Sequence, residues 1–211
     1  MTRPNTWRTS LLICAVVLAA ASHLHAEAIR TGTFTSDDDL HFFNVNLAGP
    51  STLSIQTFGY GAGGGFDPYL SLFTQSGLLL AVNNDGTCPP LQASPGSGVC
   101  FDSDITMALP AGSYIAVISQ YDNTPLGPTL QDGFTRAGQG NFTPGLWGYP
   151  GTAFIDALGN QRNGSYSITF DGATSVSGNV PEPGVWGTTA IGLGLCLVAQ
   201  HRRRKKPQAQ T

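Results

Sequence analysis

The chain has 211 residues, of which 27 are glycine, 14 are proline and 11% are charged, and its formal net charge is -3 at neutral pH. This length suits one domain of about 150 residues with flanking segments, and the composition excludes a large multidomain enzyme, a helical bundle and a coiled coil. From Glu27 to Val180, twelve acidic residues stand against three arginines and no lysine, so this part should repel nucleic acids and attract cations.

The first 28 residues have the composition of a secretory signal peptide. Arg3 and Arg8 precede an apolar run at residues 11–21, and small residues follow as far as Ala26-Glu27-Ala28. This order is typical of a signal peptide that is cleaved after Ala26 or Ala28. An N-terminal membrane anchor is the alternative, but a span needs roughly 20 apolar residues and this run is shorter. We therefore expect the chain to be exported.

Residues 29–178 have the pattern of short β-strands separated by glycine, proline and asparagine. Apolar and polar residues alternate, as at Phe43, Val45 and Leu47, which predicts half-buried strands. The predicted strands are 31–36, 40–47, 52–58, 69–74, 78–82, 105–109, 113–121 and 165–171. Turns are predicted at 75–77 and 110–112. The sequence therefore predicts an all-β domain, an antiparallel β-sandwich or jelly roll of about eight strands.

Two groups of polar residues are candidates for calcium binding. The first is the run Asp37 to Asp39, for which a solvated turn is favoured, because three adjacent carboxylates of an extended chain cannot all face one ion. The second consists of Asn83, Asp85, Asp102 and Asp104. Calcium takes six to eight oxygen ligands, so carbonyls and waters would complete this set. The alternative is a turn at 84–86, with Asp102 and Asp104 facing solvent.

Cys88 and Cys100 are the only cysteines between the two terminal segments. Export favours a disulfide between them, which would contribute about 3 kcal/mol in the chain-entropy model. This disulfide would draw residues 83–85 towards Asp102 and Asp104. A zinc site on the two cysteines is the weaker alternative, because no histidine lies near them in the sequence.

The sequence contains none of the common catalytic motifs. It has no Gly-X-Ser-X-Gly, no His-Glu-X-X-His and no phosphate-binding loop. His41 is the one histidine of residues 29–178, and its neighbours Phe42 and Phe43 favour a role in packing. Asp102 and Asp104 would share one face of a strand, as an acid and base pair for glycoside hydrolysis would require, but no flanking aromatic residues can be placed beside them. We therefore expect that the protein is not an enzyme.

Residues 122–163 form a long segment that is rich in glycine and proline and poor in strand pattern. Its aromatic residues make it either a packed surface loop or a binding face. Among them, Trp147 and Tyr149 are the candidate stacking platforms for a polysaccharide.

The C-terminal segment, residues 179–206, combines three elements. Val180-Pro181-Glu182-Pro183 precedes an uncharged apolar run at 184–200, which would span about 26 Å as a helix. A basic cluster at 202–206 follows and places the tail in the cytoplasm by the positive-inside rule. The order of these elements resembles the PEP-CTERM sorting signal of Gram-negative bacteria. The resemblance implies recognition by an exosortase, a transient inner-membrane anchor, processing near 181–183, and a place at the cell surface or in an exopolysaccharide matrix.

Several phrases of residues 31–171 resemble the bacterial pre-peptidase C-terminal type of β-sandwich. They are Gly65-Phe-Asp-Pro-Tyr-Leu-Ser-Leu-Phe, Asn83-Asn-Asp-Gly, Asp104-Ile-Thr-Met-Ala-Leu-Pro-Ala-Gly-Ser-Tyr and Gly164-Ser-Tyr-Ser-Ile-Thr-Phe. The resemblance implies a non-catalytic module of secreted proteins, some members of which hold calcium.

Three functions follow from the sequence, in order of support. The first is a structural or adhesive protein of the cell surface, the second is a polysaccharide-binding module that uses Trp147 and Tyr149, and the third is a hydrolase that uses Asp102 and Asp104.

Overall fold

A computed structural model describes residues 28–61, 64–87 and 100–180, without the side chains of residues 179 and 180. The strands among these residues are β1 (Ala28–Thr33), β2 (His41–Leu47), β3 (Ser51–Phe58), β4 (Pro68–Thr74), β5 (Leu79–Asn83), β6 (Asp104–Leu109), β7 (Gly112–Gln120), β8 (Ser165–Asp171) and β9 (Ser175–Val180). A 3-10 turn at Leu130–Asp132 and one short helix, α1 (Thr143–Trp147), lie between β7 and β8.

The strands form two antiparallel sheets. One has the order β1-β8-β3-β6 and the other has the order β5-β4-β7-β2-β9. The prediction of an all-β sandwich is confirmed, and each of the eight predicted strands has a counterpart. β1 lies at 28–33 instead of 31–36, and β9, which pairs with β2, was not predicted. β1 and β9 thus include residues on either side of the predicted limits of 29 and 178.

The main core lies between the two sheets. Because side chains alternate between the two faces of a strand, every second side chain points into this core. In β3, for example, Leu53 and Ile55 are fully buried, whereas their neighbours in sequence are not. The two sheets contribute to one core cluster, which includes Val45, Leu70, Leu72, Ala116, Ile118, Ile168 and Phe170. Each such aliphatic or aromatic side chain stabilises the fold by about 1.5 to 3 kcal/mol through burial.

A second apolar cluster covers the outer face of the five-stranded sheet. Phe42, Phe73 and Val117 of this sheet pack with Phe134, which comes from the long segment 122–163. Phe142 and Phe154 of the same segment are also buried. The segment is therefore a packed loop over much of its length, which was one of the two expectations for it.

Asp37 fastens this long segment to the sandwich. Its carboxylate is fully buried and accepts three hydrogen bonds, from the backbone N–H of Thr143 (2.8 Å), the hydroxyl of Thr143 (2.6 Å) and the backbone N–H of Phe154 (2.6 Å). The expectation of a solvated turn is therefore wrong for Asp37. The reason is that the donors come from more than 100 residues further along the chain and converge on one carboxylate.

No helix in the described ranges is long and apolar enough to cross a membrane. Residues 1–27 of the expected signal peptide and the apolar run at 184–200 lie outside the described residues.

Candidate functional site

Three segments meet at one end of the sandwich. Ser103 Oγ lies within hydrogen-bond distance of the carbonyl oxygens of Pro68 (2.7 Å), Asn83 (3.1 Å) and Asn84 (2.5 Å). The backbone N–H of Gly86 donates to the carbonyl of Asp102 (2.8 Å). Because Asp67 precedes Pro68 and Asp102 precedes Ser103, these contacts bring two acidic residues from opposite sheets to the same place.

Asp102 is buried with only part of its hydrogen-bonding capacity used. Oδ1 accepts long hydrogen bonds from the hydroxyl of Thr57 (3.3 Å) and the N–H of Tyr60 (3.4 Å). Oδ2 finds no donor among the described residues. Burial raises the pKa of Asp102 to about 6, although these hydrogen bonds and the charge of Arg162 act in the opposite direction.

Asp67 is the second buried carboxylate of the site. It is 2% exposed, and its Oδ1 has no donor within the described part of the chain. Burial raises the pKa of Asp67 well above its ordinary value, and the nearby charges of Asp85, Asp156 and Asp102 raise it further. Arg162 is near enough to lower it in part. The Asp67 carboxyl group is thus buried among other acidic side chains.

Two buried amide oxygens belong to residues at the same end of the sandwich. Asn84 Oδ1 and Gln120 Oε1 are both buried without a donor among the residues that the structure describes. Gln120 pairs with Pro68 across β7 and β4. Asn84 belongs to the turn whose carbonyl contacts Ser103.

Arg162 is engaged by backbone carbonyls. Its Nε donates to the carbonyl of Gly65 (2.9 Å), its Nη2 donates to the carbonyl of Tyr60, and its guanidinium lies 3.9 Å from the centre of the Tyr60 ring. The hydroxyl of Tyr60 in turn donates to Asp156 Oδ2 (2.5 Å). Burial alone would raise the pKa of Asp156, but hydrogen bonds from Tyr60, Asn160 and Leu158 lower it overall. Asp156 is therefore satisfied as a carboxylate, unlike Asp67.

The predicted calcium residues lie at the same end of the sandwich, but two of the predicted ligand side chains, those of Asn83 and Asp85, accept hydrogen bonds from the protein. Asn83 Oδ1 accepts a hydrogen bond from the backbone N–H of Asp104 (2.9 Å), so the predicted ligand atom links the end of β5 to the start of β6. Asp85 is exposed, and its Oδ2 accepts a hydrogen bond from Asn84 Nδ2 (2.9 Å). Of the four predicted residues, Asp102 alone is buried, so the alternative in which it faces solvent is wrong.

Sequence reasoning missed Asp67 as a member of this site. The only signal was its place directly before Pro68 at the start of a strand, and a single aspartate before proline is also a common turn sequence. In the described part of the chain, no group of three His, Cys, Asp or Glu side chains is arranged to hold a metal ion. Any cation at this end must therefore use amide, carbonyl or water oxygens beside the carboxylates.

The predicted disulfide and the predicted sorting motif each lie partly outside the described residues. Cys100 is 4% exposed, whereas Cys88 lies outside the described residues, so the disulfide between them stays a prediction. Val180 is the last residue of β9, and residues 181–183 of the sorting motif lie outside the described ranges.

The two predicted stacking residues lie at and just after the end of α1. The indole of Trp147 stacks on the ring of Tyr121, with centroids 5.4 Å apart and planes inclined by 26°. Tyr149 is 43% exposed. Tyr121 also borders the acidic site, because its N–H donates to the carbonyl of Asp67 (2.8 Å). Burial raises the pKa of Tyr121, and the charges of Asp122, Asp67 and Asp85 raise it further.

His41 is half-buried at the start of β2, beside aromatic side chains. Its Nδ1 is 2.6 Å from the hydroxyl of Tyr166, and its ring packs against the edge of Phe34 with centroids 4.5 Å apart. Burial lowers the pKa of His41, and the charge of Asp39 opposes this effect.

Comparison of the sequence with models of known protein families and with curated proteins gave no match. The two resemblances described above therefore rest on the residues quoted for them.

Proposed function

We propose that this chain is an exported, non-catalytic β-sandwich module, sorted by an exosortase-type enzyme and left at the cell surface or in the extracellular matrix of a Gram-negative bacterium. Its role there is structural or adhesive. One observation carries the proposal: β9 closes the five-stranded sheet and ends at Val180, the first residue of the Val-Pro-Glu-Pro sequence. The Val-Pro-Glu-Pro sequence therefore starts within an edge strand of the sandwich, so a sorting signal in this part of the chain would follow directly on the β-sandwich module.

The arrangement of the acidic residues supports a non-catalytic role. A glycoside hydrolase needs two carboxylates that reach the substrate from opposite sides. Asp102 is 1% exposed and bonded to Thr57 and Tyr60. The backbone of Asp104 is fixed by Asn83 at the start of β6. A sugar has no direct access to Asp102 in this arrangement.

The experiment that tests sorting compares two Gram-negative hosts that differ only in an exosortase gene. The full chain is produced in both hosts, and the intact mass of the protein extracted from the outer surface is measured. We expect the surface protein to lack residues 1–26 or 1–28 and the basic cluster at 202–206 in the host with the enzyme. In the other host, the chain should stay in the inner membrane with Lys206 attached. Surface protein that retains Lys206 in both hosts would overturn the proposal.

A second candidate function, polysaccharide binding, is favoured by the stack of Trp147 on Tyr121. Aromatic rings that are held rigidly and partly exposed suit the faces of sugar rings, because they contribute contact area at a small entropic cost. Affinity electrophoresis in gels containing the host exopolysaccharide measures this binding. We expect retardation of the full chain that Trp147→Ala reduces at least tenfold. Leu158→Ala, at an apolar side chain that is 51% exposed, is the matched control and should leave retardation unchanged. Equal retardation of all three proteins would remove this candidate.

A further inference from the structure

Five buried side-chain oxygens have no hydrogen-bond donor among the described residues. They are Asp67 Oδ1, Ser71 Oγ, Asn84 Oδ1, Asp102 Oδ2 and Gln120 Oε1. Buried polar atoms in folded proteins almost always have a partner, so each exception calls for an ion, a water or a proton at that place. All of these atoms except the hydroxyl oxygen of Ser71 are pure acceptors when the carboxylates are ionised.

Four of the five belong to the end of the sandwich described above. Ser103 Oγ lies within hydrogen-bond distance of the carbonyls of Pro68 and Asn84. Asp67 precedes Pro68 in the sequence, and Asp102 precedes Ser103. Gln120 pairs with Pro68 across the sheet. Ser71 lies within β4 opposite Val117 and belongs to a different place. The acceptors without donors are therefore concentrated where three loops and both sheets meet.

We propose that a divalent cation with the coordination chemistry of calcium binds at this end of the sandwich, with Asp67 and Asp102 as its carboxylate ligands. The amide oxygens of Asn84 and Gln120 are its neutral protein ligands, and water completes the shell. Asp67 and Asp102, both 2% exposed or less, offer one free acceptor oxygen each and are not surface charges that happen to be neighbours.

The charge balance of the site favours a cation. Asp85 and Asp156 add to the negative field of Asp67 and Asp102, and Arg162 is the positive side chain that acts on these two carboxylates. The guanidinium of Arg162 is held by the carbonyls of Gly65 and Tyr60. Two buried carboxylates without a dedicated counter-ion are costly, and an added positive charge offsets that cost.

The donor set favours calcium over other metals. Every proposed protein ligand is an oxygen, whereas zinc and copper favour nitrogen and sulfur ligands. Magnesium requires near-ideal octahedral geometry and keeps several waters, while calcium accepts six to eight oxygens in flexible geometry. Two carboxylates with two amides from four separate segments of the chain fit the second description.

The competing occupant is a proton. A protonated Asp67 or Asp102 would donate to a neighbouring acceptor and remove the need for a metal. The two possibilities differ in the effect of calcium on the wild type and on Asp67→Asn. This variant keeps the shape of the side chain and removes its charge. With a proton in the site, calcium should have no effect on the wild type. With calcium in the site, Asp67→Asn should abolish the effect of calcium.

The experiment measures thermal unfolding and calcium titration calorimetry of the full chain in mild detergent, in EDTA and in 1 mM calcium. We expect calcium to raise the Tm of the wild type by about 5 °C or more, as a site with a Kd near 10 μM would produce. Asp67→Asn and Asp102→Asn should each reduce this shift to less than about 1 °C. Asp171→Asn, at an exposed aspartate of β8, is the matched control and should keep the full shift.

Terbium luminescence provides a readout that does not depend on stability. Tyr60 and Tyr121 lie beside the site, so excitation of their rings should sensitise bound terbium, and calcium should compete with it. The signal should be lost in Asp102→Asn if Asp67→Asn does not fold. Absence of any calcium effect on the wild type overturns the proposal. So does a Tm shift that is equal in the wild type and in both site variants, because the ion would then bind elsewhere. None of these outcomes depends on export or sorting.

Discussion

Replacing Asp37 with alanine removes the carboxylate that holds the long segment 122–163 against the sandwich. The side chain is fully buried and accepts hydrogen bonds from the N–H and hydroxyl of Thr143 and from the N–H of Phe154. The hydroxyl of Thr143 also accepts the N–H of Ile155 (2.9 Å). The loss therefore affects one connected network and two buried backbone donors.

The expected cost is about 3 to 5 kcal/mol in the free energy of unfolding. A hydrogen bond to a charged acceptor is worth about 1.5 to 3 kcal/mol, and three bonds that share one carboxylate are not additive. The variant also leaves the N–H groups of Thr143 and Phe154 buried without an acceptor, which places it among the severe substitutions. Because Phe154 has a positive φ of 50°, it also loses a contact that holds its unusual backbone. In a domain of about 150 residues, this cost lowers the Tm by roughly 10 °C.

Urea denaturation followed by tryptophan fluorescence measures this cost. Asp171→Ala is the matched control, since its carboxylate is exposed and its one described bond is to the neighbouring N–H of Gly172. It should change the free energy of unfolding by less than about 0.5 kcal/mol. If Asp37→Ala is destabilised by no more than this control, the argument that Asp37 fastens the segment is wrong.

Two further predictions concern pH and packing. In EDTA, the free energy of unfolding should fall by about 2 kcal/mol between pH 4 and pH 7 on account of Asp102. Burial raises the pKa of Asp102 to about 6 in the folded state, against about 3.9 in the unfolded state. Protonated Asp102 therefore stabilises the fold fully below a pH of about 3.9, and this stabilisation is lost as the pH rises through about 6. Urea titrations at several pH values check this, and a stability that rises over the same range would contradict it. Gly164→Ala should destabilise the fold by more than about 2 kcal/mol, because its Cβ would lie 2.1 Å from the carbonyl oxygen of Phe34. Gly145→Ala, in α1 with open space around it, should instead stabilise the fold by about 0.5 to 1 kcal/mol. Differential scanning calorimetry compares the two variants, and equal changes would refute the packing argument.

The strands were predictable because their signal is local. Alternating residues such as Leu53 and Ile55 need only a sheet to become buried, and all eight predicted strands are present. β9 was not predicted because Ser175–Val180 contains few apolar residues. Its pairing with the edge of β2 uses backbone hydrogen bonds, which almost any sequence can provide.

The buried carboxylates were not predictable for the opposite reason. Asp37 was expected to be solvated because its neighbours in sequence are also acidic, yet its partners are Thr143 and Phe154. Asp67 becomes a candidate ligand only because the turn at Asn84 and the start of β6 pack beside it. A pattern within one strand carries no information about which loops meet at the end of a sandwich.

Tyr121 connects the two binding proposals physically. Its backbone N–H donates to the carbonyl of Asp67, and its ring supports the indole of Trp147. A cation that orders Asp67 would therefore also order Tyr121, and a sugar that immobilises Trp147 would restrict the ring of the same tyrosine. Coupling between two binding sites is reciprocal, so if calcium changes the affinity for the polysaccharide, the polysaccharide changes the affinity for calcium by the same factor. A calcium effect on polysaccharide binding would thus follow from the position of Tyr121, without any direct contact between the ion and the sugar.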